Sequence, residues 1–107
     1  MTYRVVLLPR AERDLRTMYE YIRRRAPRAA KDWLRRARKA ASSLAHYPKR
    51  CSLAPETASF EQPIRQLLFG SGSRGTYRFL FTVDEEEGTV YLLHVRHGSM
   101  LPLHLDE

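Results

Sequence analysis

Thr76-Tyr77-Arg78-Phe79-Leu80-Phe81-Thr82-Val83 is the stretch whose reading decides the fold. Every position except Arg78 is β-branched, aromatic or leucine, the types that suit a half-buried pleated surface. Asp84-Glu85-Glu86-Glu87-Gly88 follows, an acidic loop of hairpin length, and Thr89 to Val95 returns to strand character. Upstream, Gly70-Ser71-Gly72-Ser73-Arg74-Gly75 is a turn made for positive φ, preceded by a further strand from Ile64 to Phe69. Three strands joined by tight turns predict an antiparallel meander.

Farther out, the period changes. Ala11, Leu15, Met18 and Ile22 recur in steps of four, three and four, one stripe of a helix. Pro9 stands near its first turn, where a missing N–H costs nothing, and Pro27 disfavours helical geometry at Ala26. A second stripe, Ala30, Trp33, Leu34, Ala37, Ala41 and Leu44, predicts a helix from about Arg28 to Tyr47, stopped by Pro48. Two helices joined by so short a break form an antiparallel hairpin, and Ala37, Ala40 and Ala41 allow close packing. Tyr3 to Leu8, closed by Pro9, is an opening strand. Lys49 to Pro63 has no clear period and is expected to be a loop with at most a short strand or turn. The predicted class is α+β: a strand, a two-helix hairpin, then three strands (βααβββ), with a mostly antiparallel sheet backed on one face.

With 107 residues the chain fits one domain, 1–107. Its single cysteine, Cys51, allows no intrachain disulfide, no apolar run approaches a membrane span, and the first residues do not resemble a signal peptide. A cytoplasmic location is expected. The formal net charge is +7, unevenly spread. Residues 1–50 hold fifteen Lys and Arg against four acids, a net of +11, whereas residues 51–107 hold four Arg against eight acids, a net of −4. Arg-rich helices are often only well-solvated helices. Here the excess predicts affinity for a polyanion or for an acidic protein that masks the charge.

The order of elements and six local patterns together resemble the RelE/ParE toxin superfamily over nearly the whole chain. Pro9-Arg10-Ala11-Glu12-Arg13-Asp14-Leu15, after Tyr3-Arg4-Val5, is similar to the family's first strand and "A-x-x-D-L" helix start. Leu44-Ala45-His46-Tyr47-Pro48 resembles the end of its second helix. Ile64-Arg65-Gln66-Leu67, Tyr77 to Val83 and Leu92-Leu93-His94-Val95-Arg96-His97 resemble its three later strands. The resemblance implies a toxin of a type II toxin–antitoxin system, of the plasmid-stabilisation type, held inactive by a cognate antitoxin. It implies two mechanisms in different members: ribosome-dependent mRNA cleavage in RelE-like toxins and inhibition of DNA gyrase in ParE-like ones. A non-toxic basic RNA-binding module is the reading from another class.

Metal-independent RNA cleavage needs a cation that strengthens as charge develops on phosphorus, and a proton carrier with a pKa near working pH. Arg78, alone in an apolar strand, and Arg65 on the preceding strand match the family's phosphate-contacting positions. Both are expected on one open sheet face, as a phosphate cradle. His97 is the candidate proton carrier, giving a catalytic set of Arg65, Arg78 and His97, with Arg96, His94 and His104 as substrate contacts. No cofactor is expected. A zinc site from His94, His97 and His104 is possible by count, but Cys51 is remote and no C-x-x-C exists. The tail from Gly98 to Leu105 departs from nuclease members: it lacks Tyr and Lys, and Met100 stands where many relatives carry Arg. The long hairpin broken at Pro27 looks more like the ParE branch.

Overall fold

The computed structural model describes residues 2–70 and 76–98. Strand β1 (Arg4–Leu7) leads into helix α1 (Pro9–Arg25), then α2 (Pro27–Ser43), and strands β2 (Arg65–Phe69), β3 (Tyr77–Asp84) and β4 (Thr89–His97) follow. Both helices begin with proline at the first turn. Ala26, between them, sits at φ −152° and ψ 81°, because the ring of Pro27 pushes the preceding residue out of the helical region. One residue therefore ends α1 and starts α2.

The sheet order is β1-β4-β3-β2. The meander is antiparallel as expected, but β1 runs parallel to β4, which makes the sheet mixed. A parallel neighbour needs a long crossover, and the two helices with the first two meander strands supply it. Alternation then sorts the side chains. Val5, Leu7, Phe69, Phe79, Phe81, Val90 and Leu92 face the helices and pack with Ala11, Ile22, Ala30, Trp33, Ala37, Ala41 and Leu44. Trp33 is core, as its place on the apolar stripe implied: it meets Tyr77 edge-on at 5.2 Å and Phe69 at 5.9 Å. Its indole N–H finds no acceptor among the described residues.

Helix α2 ends at Ser43, short of the expected Tyr47. The chain turns at Tyr47, whose φ is +47°, and Arg50 reaches back to donate to the carbonyls of His46 and Tyr47 at 2.5 and 3.1 Å. Carbonyls left over past a helix end are thereby satisfied by a cation, which also suits the negative end of the helix dipole. The aperiodic stretch holds two short 3-10 turns, Pro48–Arg50 and Pro55–Ser59, each opened by proline. The second lies on the outer face of the sheet. There Ala54, Ile64 and Leu80 are buried together, with Phe60 and Leu93 packed against them. The outer face is therefore partly roofed rather than open, because a segment without period can still bury apolar residues once prolines and backbone bonds to Ile64 and Ser52 pin it down. The Gly70–Gly75 turn and the tail lie largely outside the described residues; Gly70 has φ +76° and Gly88 φ +61°.

Candidate functional site

Arg65 and Arg78 are kept apart by strand register. Arg65 pairs with Phe81, and Leu68 pairs with Arg78. Positions three apart on one strand point to opposite sides, so Arg65 shares the helix-facing side with Phe81 whereas Arg78 lies on the outer side with Gln66 and Leu80. The expected common cradle does not form, since a one-residue difference in register reverses a side chain.

Each arginine already has partners. Arg78 is 7% exposed and forms a two-pronged pair with Glu56, Nη1 to Oε1 at 2.9 Å and Nη2 to Oε2 at 2.7 Å. Its Nη1 also donates to Gln66 Oε1 at 3.0 Å. The parallel arrangement of two N–H bonds on one carboxylate is the geometry that a guanidinium offers a phosphate. Glu56, itself 1% exposed, occupies that geometry. Arg65 donates to the carbonyl of Cys51 at 2.7 Å and ties the roof segment to β2.

The last strand distributes the other candidates. Arg96 pairs with Arg78 and lies on the outer side, while His97 pairs with Tyr77, meeting its ring edge-on at 4.9 Å on the helix side. His97 is thus on the opposite face from Arg78 and cannot pass a proton at a phosphate held there. The register shifts between Leu80 and Phe81, where Leu93 is the extra residue of a bulge. Beside this bulge His94 Nδ1 lies 3.7 Å from Asp14 Oδ2 on α1. Asp14 also accepts the Val95 N–H at 3.0 Å and the Arg10 Nε–H at 3.0 Å. It caps the edge of β4 beyond the end of β1. His104 lies outside the described residues. Among those residues no three His, Cys, Asp or Glu side chains are grouped to hold a metal ion, and no helix is long and apolar enough to cross a membrane.

Burial alone would raise the Asp14 carboxyl, but the nearby His94 ring and the hydrogen bonds from Val95 N–H and Arg10 outweigh it and hold the group below its ordinary 3.8. A depressed folded value means stability present above the ordinary value and lost as pH falls through the lowered one. Asp14→Ala is expected to cost about 1–3 kcal/mol near neutral pH. In urea titrations the gap from wild type should close in acid, below the ordinary carboxylate range. A gap independent of pH would mean the carboxylate charge is not what matters.

Two clefts remain. One, of about 280 Å³, lies where the helices meet the sheet and is lined mainly by Val5, Leu7, Leu15, Ala37, Ala41 and Phe79, together with Arg38 and Ser42. The other, of about 700 Å³, runs past the β3–β4 hairpin and includes Tyr91, Leu93 and Thr82 beside Asp84, Glu85 and Glu86. Those acids repel a phosphate, and of the cations in the same wall Lys49 is already paired with Glu85 and Arg65 donates to the Cys51 carbonyl.

A family model described as "ParE toxin of type II toxin-antitoxin system, parDE" matches residues 5–102. The chain belongs to the ParE toxin family. It is the toxin component of a type II toxin–antitoxin system. Among solved structures it is similar to one titled as the chromosomal ParDE toxin–antitoxin system from P. aeruginosa. That chain has a TM-score of 0.67 at 16% identity, with 90% of this chain and 96% of that one covered. It is also similar to one from the toxin–antitoxin complex RelBE2 of Mycobacterium tuberculosis, with a TM-score of 0.54 at 26% identity and coverage of 91% and 99%. No curated protein matches. The ParE family frame agrees with the hairpin broken at Pro27, which is carried on an α+β sheet of the same architecture as these neighbours. Glu56 and Gln66 are residues of the site with no role legible in the sequence, and Asp14 stood out there only as a position of the helix-start pattern. Glu56 sits 22 positions from Arg78 in an aperiodic stretch, and nothing in its spacing could have paired the two.

Proposed function

We propose that this ParE-family toxin inhibits growth by binding DNA gyrase in the cytoplasm rather than by cutting mRNA, and that a cognate antitoxin neutralises it. The observation that carries this reading is the Arg78–Glu56 pair. The one arginine placed like a phosphate ligand is buried and its charge is matched by a carboxylate. Arg65 and His97 lie on the other side of the sheet. A phosphoryl transition state needs cations free to gain strength as charge develops, and these three groups do not converge on one.

The antitoxin reading draws on the excess of positive charge in residues 1–50 and on the apolar cleft between helices and sheet. An acidic, amphipathic segment would match the first and fill the second.

The test is conditional expression with and without the antitoxin, read by primer extension on mRNA and by supercoiling with purified gyrase. Growth arrest without discrete mRNA ends, and loss of supercoiling at toxin concentrations near those of gyrase, is the expected result. Arg65→Ala is expected to leave toxicity within about threefold, because its contacts to the backbone carbonyls of Cys51 and, more weakly, Lys49 contribute only about 1 kcal/mol. Discrete cuts that vanish in Arg65→Ala would establish the nuclease instead.

A further inference from the structure

The outer side of α2 is a charged ridge turned away from the core, in which one carboxylate, Asp32, is the acid the helix itself supplies. The helix holds six Lys and Arg against one acid, Asp32. Arg28, Lys31, Arg35 and Lys39 follow at steps of three, four and four, with Arg38 beside them, and all five are exposed. Such spacing puts them on one face, opposite Trp33, Ala37 and Ala41, over a length of about 16 Å. Asp32 is shared by Arg35 and Arg36. Among the described residues no carboxylate pairs with Arg28, Lys31, Arg38 or Lys39. The ridge on α1 is different: Glu12 and Glu20 interrupt Arg13, Arg16 and Arg24, and Glu20 pairs with Arg23.

We propose that this α2 ridge grips the phosphate backbone of duplex DNA without reading its sequence. The chemistry of the ridge selects the partner. A protein interface needs an apolar or aromatic anchor at its centre and is depleted of lysine, and the ridge offers no apolar side chain of any size. Single-stranded nucleic acid is held by aromatic platforms, and the ridge has none. Tyr21, on α1, is already covered by Arg25 at 4.2 Å. A duplex presents one charge per about 1.7 Å of axis with its bases stacked inside, so it asks only for a row of cations, and 16 Å of it presents roughly ten. The inference does not depend on gyrase being the target. It concerns the toxin and DNA alone.

Fluorescence anisotropy of a short labelled DNA duplex, titrated with the purified full chain at several salt concentrations, tests it. Wild type is expected to bind with a steep salt dependence. R28Q/K31Q/K39Q should lower the log–log salt slope by about three and weaken binding at least tenfold at low salt. R28E/K31E/K39E should abolish binding. The control R13Q/R16Q/R24Q removes the same net charge from α1 and is expected to change the slope by less than about one. All these positions are exposed, and unchanged thermal unfolding will show that the fold is kept. Equal losses in the α1 and α2 variants would overturn the proposal, because net charge alone would then be acting. So would unaltered DNA binding in the α2 variant together with lost binding to an acidic peptide, which would give the ridge to a protein partner.

Discussion

Glu56→Ala is expected to remove about 3–5 kcal/mol of stability, seen as a lower urea midpoint and a melting temperature down by more than about 10 °C. The side chains of Arg78 and Glu56 are 9% and 0% exposed. With Glu56 gone, the guanidinium stays in the sheet's outer core without that counter-charge, and it keeps its bond to Gln66 Oε1. A buried cation cannot shed its proton when it is an arginine, so the penalty falls on the fold. Replacing both partners, Arg78→Met with Glu56→Leu, should recover most of the loss, since a buried ion pair is often no better than an apolar pair of similar volume. If the double variant is as unstable as the single, the pair is not the cause. The same pair shapes the functional reading: a guanidinium whose two prongs are occupied by a carboxylate is not available to a phosphate.

Phe79→Ala should be as damaging, at about 3–5 kcal/mol, measured in the same titrations. Phe79 is fully buried, stacks on Phe69 at 4.7 Å and forms part of the wall of the cleft under the helices. Removing the ring joins a new void to a cleft that is already there. The neighbours Ala37 and Ala41 are too small to move into it. Phe79→Leu, which keeps most of the apolar volume, is expected to cost about 1 kcal/mol. A similar loss from both substitutions would place the effect in strand propensity and not in the void. For a domain whose total stability is of order 5–15 kcal/mol, either large loss leaves little margin.

Elements with a strong period were legible in the sequence. The α1 stripe, Trp33 on the α2 stripe, and the run from Tyr77 to Val83 each place several apolar side chains on one face, and local repetition leaves one good solution. The roof over the outer face was not legible. Its order comes from single contacts between distant positions: Thr57 Oγ1 accepting the Ile64 N–H, Arg65 donating to Cys51, and Glu56 meeting Arg78. None of them repeats, so none leaves a period. The bulge at Leu93 was equally hidden. One extra residue is invisible in composition, yet it accompanies the placing of His94 beside Asp14 and puts His97 on the opposite side of the sheet from Arg78.

Hydrophobic spacing and proline placement were enough to specify the βααβββ order and the helix pair, because burial of an amphipathic face depends on neighbours a few residues away. The fate of the arginines rested on contacts 12 to 22 residues apart, and on which side of a pleat each one falls. Those are set when strands choose their register, and that choice is made by packing the whole sheet against the helices.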